Sequence, residues 1–465
     1  MKLRDLIAWN PWWKGGREGG MYLEKYFAHA FLSERKLPDF EDNYLIRGPR
    51  QVGKTEFLFR IVAELMEKNT PPENIVYLSC DRLGGIGELR NTVRELREVM
   101  KAQPGKKYLL LDEVTSIREW HKAVKEFCED RFFTVYATGS RPKELESKAE
   151  YFPGRASIIN FHPLSFREFC NSLFFSMFAR EKRLPGHTIN RESARRELLS
   201  FISPSLDVRR AKTILRDLGG IEGGLSEISR VSKLYKHFDV LDALFKLYLK
   251  VGGYPCAMEK MIQKEELPFE IVVKDTLGTI EKEGLSLDTL NRLLPELLKS
   301  IGSKIEYAGL AREVEVDTAT VMRYIHTLER SFLLREVYYF DGKAHPKKGK
   351  KVYFSDPFII NALQNYYGLR DLEESRVIEN VIVESIARSI EDPFKRLWKT
   401  RMGFGMLKGR EVDIVVSESK LFRIEVKYGR VYKRKGIDII LTKDDLEVSE
   451  RPLKIPVALF LLGLR

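Results

Sequence analysis

Cysteine is scarce in this 465-residue chain: Cys80, Cys128, Cys170 and Cys256 stand far apart, with no CxxC pair and no histidines beside them. That spacing excludes a disulfide framework and a structural zinc site, and it suits a reducing compartment. Glutamine is nearly absent. Long apolar runs are missing too, so the roughly 18 uncharged residues that a membrane helix asks for are found nowhere. The opening MKLRDLIAWNPWWKGG sets charge beside a short apolar run broken by Asn10, Pro11 and two tryptophans. It has neither the apolar core nor the small-residue cleavage site of a secretory signal. The expected location is the cytoplasm, with no membrane partner.

What is present is charge. Charged residues make up 31% of the chain, against about 25% in ordinary globular proteins. Together with the shortage of labile amides, this suits a protein from a hot environment. The formal net charge of +12 favours a polyanionic partner such as nucleic acid, although surplus surface lysine accounts for it almost as well. Hydrophobic residues at 43% and aromatics at 11% support packed cores, and the length asks for two or three domains.

Five short apolar runs alternate with helical patterns up to Pro163: YLIR at 44–47, IVYLSC at 75–80, YLLLD at 108–112, FFTVYATGS at 132–140 and ASIINF at 156–161. Apolar runs without alternation indicate a parallel sheet covered on both faces, hence an α/β domain over 1–163. From 164 to 290 the pattern is helical. A stretch at about 185–240, basic around 207–216 and glycine-rich at 217–224, reads as an exposed loop or inserted segment. Residues 291–355 give three short helices and a strand in winged-helix order, with Asp317 as N-cap of the third helix. Residues 356–465 resume with a helix at 376–391 and a hairpin, REVDIVV-SESK-LFRIEVKY.

Residues 48–55 read GPRQVGKT between a strand and a helix. Glycines at this spacing let the backbone turn its N–H groups and a helix N-terminus toward a phosphate. Gly48, Pro49, Arg50, Gln51, Val52, Gly53, Lys54, Thr55 and Glu56 therefore form the candidate cradle for ATP. Lys54 is placed to bridge β- and γ-phosphate oxygens and Thr55 to offer its hydroxyl to Mg²⁺. In LLLDE, Asp112 ends a strand as the second metal-side residue and Glu113 follows as candidate base; the plainer alternative has the pair capping the next segment. Thr138 and Ser140 are sensor candidates if their strand lies between the other two, and otherwise only a polar strand exit. Arg155 is the candidate finger that stabilises transferred charge, with Arg50 and Arg141 as alternatives.

GPRQVGKT, LLLDE, TGS, Gly154-Arg155, HPLSFREF at 162–169 and GGYP at 252–255 together resemble a group of prokaryotic AAA-type ATPases, in particular archaeal members. In these a P-loop domain precedes a C-terminal domain of unknown function with a PD-(D/E)XK nuclease-like fold. The resemblance spans about residues 10–430, weakest at 185–240. It implies an AAA+ core, a winged helix and a nuclease-like end; a homo-oligomer is the expected assembly.

Metal-dependent phosphodiester cleavage asks for two or three carboxylates around Mg²⁺ and a lysine near the water. Asp413 and the Glu425-x-Lys427 pair, on facing strands, match that pattern, with Glu379 or Glu384 of the preceding helix to complete it. Glu-x-Lys is also ordinary on a solvated strand, and such a fold can serve DNA binding alone. In the winged-helix segment, Thr318, Thr320, Arg323, Tyr324 and His326 would face a DNA groove and Lys343, Lys347, Lys348, Lys350 and Lys351 its phosphates; a packing role is the alternative. Asn10-Pro11-Trp12-Trp13 reads as core packing, or as a stack against adenine. The leading expectation is an ATPase that acts on DNA; the alternatives are a nucleotide-dependent switch and a protein-remodelling ATPase.

Overall fold

A computed structural model describes residues 3–14, 35, 37–148, 151–179, 199–221, 224–370, 372–391, 398–429 and 434–464. The chain divides into two compact units: of the described residues, the first holds those up to His162 together with 175–179, and the second holds the others.

The first unit is built on five strands: β1 Tyr44–Arg47, β2 Ile75–Ser79, β3 Lys107–Asp112, β4 Phe133–Gly139 and β5 Ser157–Asn160. They lie in the order β2-β3-β4-β1-β5, all parallel. Every residue of β3 and β4 is buried, as a central strand covered on both faces must be. Because the strands run the same way, the C-terminal ends of β1, β3 and β4 share one edge, and the register sets Ile46 beside Thr138 and Leu111 beside Ala137. Helices Lys54–Glu67, Ile86–Met100 and Trp120–Asp130 supply amphipathic cover.

The tryptophan-rich opening caps the open side of β2. Asn10 accepts from the Tyr77 N–H at 2.6 Å and donates to the Tyr77 carbonyl at 3.0 Å, as a neighbouring strand would. The Trp12 and Trp13 indoles each donate to the Ile75 carbonyl at 2.9 Å. This satisfies and shields an edge strand. Trp12 is buried against Phe59 and packs in the core.

The second unit joins helices to a seven-stranded sheet of order β12-β11-β10-β9-β8-β6-β7. Its strands are β6 Leu334–Phe340, β7 Ala344–Phe354, β8 Met402–Leu407, β9 Arg410–Ser417, β10 Leu421–Lys427, β11 Ile439–Thr442 and β12 Leu453–Pro456. The hairpin expected to close one domain at 355 thus shares a sheet with the strands expected in the next: β6 meets β8 through Tyr339 and Phe404. Helices Leu287–Lys299, Tyr307–Glu313 and Thr318–Arg330 precede that hairpin, the last capped by Asp317 at 2.8 Å from the Thr320 N–H. Ile305, between the first two, bridges Lys350 on β7.

The segment read as an exposed loop is ordered where it is described. Val208–Gly219 is a helix with Ala211, Ile214 and Leu218 buried, and Leu225–His237 is a 3₁₀ helix with five buried residues. Lysines and arginines there line the outer face of an amphipathic helix, a period that high charge had masked. Residues 180–198 and 222–223 of it lie outside the described residues.

HPLSFREF and GGYP meet inside this unit. A Cβ on Gly253 would stand 2.0 Å from the Leu164 carbonyl oxygen, and one on Gly252, at φ 70°, would stand 2.0 Å from Asp356 Oδ1. Only glycine permits both approaches. Leu164 N–H donates to the Gly253 carbonyl at 2.8 Å, and Gly253 N–H to Asp356 at 3.0 Å.

Candidate functional site

The loop after β1 turns through Gln51 at φ 62° and Gly53 at φ 87° before the helix Lys54–Glu67 starts. Gly53 brings no side chain to cap that helix, so the N-terminal N–H groups and the positive end of the helix dipole face the loop. Gly48 sits so near the end of β5 that a Cβ would be 2.1 Å from the Phe161 carbonyl oxygen. Lys54 is buried, its Nζ donating to the carbonyls of Gly48 at 3.0 Å and Pro49 at 2.6 Å. The ammonium thus lies within the loop that carries it.

Asp112 is the hub. Its Oδ2 accepts from the Thr55 hydroxyl at 2.8 Å and the Tyr77 hydroxyl at 2.9 Å, and its Oδ1 from the Thr138 hydroxyl at 2.5 Å. Thr138 also accepts from the Glu113 N–H at 3.0 Å. One buried hydroxyl therefore sets both acidic residues. Glu113 has left-handed backbone at φ 56°, and its Oε1 accepts from the Thr115 hydroxyl at 2.8 Å and the Ser140 N–H at 3.0 Å. Gly139 makes this closure possible, since a Cβ there would meet the Thr115 methyl at 2.6 Å.

The structure thus brings Lys54, Thr55, Asp112, Glu113, Thr138 and Ser140 together on one sheet edge; Ser140 takes part through its backbone. Tyr77 went unnoticed in the sequence, where it reads as one more apolar residue of a strand. The hydroxyl of Thr55 beside the Asp112 carboxylate is an all-oxygen pair of the kind Mg²⁺ takes, so the residues present fit that ion. Arg155 is elsewhere. It precedes β5, at the opposite end of a parallel sheet from the P-loop, and its guanidinium pairs with Glu129 at 2.7 Å. Arg141 pairs with Glu144 at 3.2 Å, and Arg50 is exposed on the loop.

In the second unit Asp413 and Glu425 do lie on adjacent antiparallel strands, and Asp413 Oδ2 accepts from the Val426 N–H at 2.8 Å. Glu379 accepts from the Tyr353 hydroxyl at 2.7 Å. Burial pushes the carboxyls of Asp413 and Glu379 above their ordinary range. Glu384 is a correction: it is buried in an ion pair with Arg335 at 2.7 Å, because helix register turns it from Glu379 toward β6. Glu425 pairs with Arg434 and lies 3.8 Å from the Lys427 ammonium. Among the described residues, no group of three or more His, Cys, Asp or Glu is arranged to hold a metal ion. The residues present do not fit Mg²⁺ here.

Two of the expected DNA-facing residues are corrected as well. Tyr324 is buried, its hydroxyl donating to the Ser286 carbonyl at 2.7 Å. Lys351 is buried against Glu411 at 2.7 Å, since alternation along β7 points it opposite to Lys350. Thr318, Arg323, His326, Lys343, Lys347 and Lys348 are exposed. The β6–β7 register jumps from Tyr338–Lys350 to Tyr339–His345, so 346–349, with two of these lysines, bulge from the hairpin.

The strand order and phosphate loop are those of a parallel-sheet P-loop nucleotide-binding domain. Residues 41–170 match the AAA domain family, and residues 242–371 match a domain of unknown function, DUF8612. The chain is similar to the uncharacterized protein MJ1637 of Methanocaldococcus jannaschii, 24% identical over 94% of this chain and 89% of that one. It is also similar to an uncharacterized protein of Haemophilus influenzae, 22% identical over 83% of this chain and 82% of the relative. Among solved structures, AMPPCP-bound DnaA from Aquifex aeolicus aligns at 13% identity over 68% of this chain and 88% of that one. Its TM-score is 0.23, too low for a structural argument. Among the described residues, no helix is long and apolar enough to cross a membrane.

Proposed function

We propose that this protein is a Mg²⁺-dependent ATPase that works as a homo-oligomer on DNA. The observation that carries the ATPase reading is the convergence on Asp112 of Thr55, Thr138 and Tyr77, with Glu113 fixed by the same Thr138. Lys54, released from its own loop carbonyls, is the cation for the β- and γ-phosphates, and the loop N–H groups bind the rest. Thr55 and Asp112 would hold Mg²⁺, which when bound neutralises phosphate charge. Glu113 accepts the proton of the attacking water, for which its carboxylate must turn from Thr115 and Ser140. Arg141 and Arg155 are paired with Glu144 and Glu129, so the finger comes from another copy, with Arg155 the first candidate once parted from Glu129.

Support for DNA as partner comes from the exposed face of Thr318–Arg330 and the bulged lysines of β7, with the net charge of +12 behind them. Phosphate release from the full chain with ATP and Mg²⁺, with and without duplex DNA, tests the proposal. Stimulation several-fold by DNA is expected; a rate indifferent to DNA at low salt removes the DNA part. A nucleotide-dependent switch is the second reading, favoured by the hold of Thr115 and Ser140 on Glu113. Slow turnover, unchanged by DNA but accompanied by nucleotide-dependent assembly, would select it.

A further inference from the structure

Four carboxylates cluster in the second unit where β7, β9, β10 and the helix Glu374–Ser389 meet: Glu379, Glu411, Asp413 and Glu425. Each cluster edge is closed by a cation of the protein itself. Lys351 Nζ is 2.7 Å from Glu411 and 3.5 Å from Glu379, with the lysine only 2% exposed. Lys304 is 2.9 Å from Glu411. Arg434 pairs with Glu425 and donates as well to the backbone carbonyls of Leu407, Arg410 and Glu411, the latter two at 3.1 and 3.0 Å. Lys427 stands on the other Glu425 oxygen at 3.8 Å.

We infer that Lys351 and Arg434 are built-in counter-ions that take the electrostatic place of a divalent metal, so that this acidic cluster anchors β7 and cleaves no phosphodiester. Four negative charges already face four positive ones. A divalent ion entering beside Arg434 and Lys351 would meet like charge at a few ångströms, little screened where Lys351 and Glu425 are buried. It would also need several open oxygens and its own waters, whereas one oxygen each of Glu379, Glu425 and Asp413 is already hydrogen-bonded. Arg434 cannot simply withdraw, since three carbonyls clip it to the β8–β9 turn. The bond from Lys351 instead ties β7, the strand that carries the exposed lysines, to β9 and to the helix behind. The inference concerns the cluster alone and stands whether or not those lysines meet DNA.

The test is Mn²⁺ titration followed by electron paramagnetic resonance, on the full-length Asp112→Asn variant without nucleotide, its fold checked by circular dichroism. That variant removes the ATPase metal site and leaves the second unit intact. No Mn²⁺ bound more tightly than on the order of 1 mM is expected. Wild-type protein incubated with supercoiled plasmid and Mg²⁺ should leave it uncut. A tight Mn²⁺ site surviving in Asp112→Asn overturns the inference, as does plasmid nicking by wild type that Glu425→Gln abolishes. Absence of ATPase activity from the wild-type protein, with both results as expected, would instead count against the proposed function.

Discussion

Asp112 accepts from three hydroxyls on three elements, and they are not equivalent. Thr55 belongs to the P-loop helix and, on the proposed function, is the one to exchange Asp112 for metal. Tyr77 only braces the carboxylate from β2, while Thr138 holds Asp112 and Glu113 at once. Thr138→Val should therefore lower kcat by about 10²-fold with little change in nucleotide affinity, whereas Tyr77→Phe should cost much less. Steady-state phosphate release beside fluorescent-nucleotide binding separates the two. Lys54→Ala should abolish turnover. Glu113→Gln should bind ATP and hold it unhydrolysed, and normal turnover in that variant would remove Glu113 as the base. The residues of GPRQVGKT and LLLDE were legible in the sequence because phosphate chemistry confines them to fixed spacings. Tyr77 was not, since a tyrosine in an apolar strand gives no sign of where its hydroxyl ends.

At the scale of elements, what a strand needs decides what its neighbours do. β2 is an edge, and Asn10 occupies its Tyr77 pairing groups with a side-chain amide. Asn10→Ala leaves those two backbone groups without their partner and should cost about 1–3 kcal/mol in urea unfolding. The hairpin of β6 and β7 is an edge of the other sheet, where lysines also deter strand addition; salt dependence tells the two roles apart. If Lys343 and Lys347 meet phosphates, Lys343→Gln with Lys347→Gln should reduce the slope of log K against log salt by about 2. Edge-guarding lysines would leave it unchanged. The five strands of the first unit were readable as apolar runs, because burial there is two-sided, but the short helices Leu3–Trp9 and Pro142–Lys148 were not. Burial was misread at 208–219, where a charged outer face hid three buried positions, and at Tyr324 and Lys351, whose direction depends on register rather than on composition.

On the scale of the whole chain, two units mean two cores and two sets of ligands. The first unit binds nucleotide, and the second is knit around Asp356, buried at the junction of GGYP with the helix Pro357–Tyr367. Burial pushes the Asp356 carboxyl up to about 7 from an ordinary 3.8, against the opposing pull of Arg388 and the N–H groups of Phe358 and Gly253. Between about pH 4 and pH 7 the folded state thus keeps a proton that the unfolded chain has released. Its contribution to stability is present at the acid end of that window and is lost as pH rises toward 7, the reverse of an ordinary paired carboxylate. Calorimetry should show two transitions. A non-hydrolysable ATP analogue with Mg²⁺ should raise one of them, by mass action on the folded first unit. The other should fall as pH is taken from 5 to 7, and in Asp356→Asn, which retains an oxygen for the two N–H groups but has no such proton, that fall should shrink.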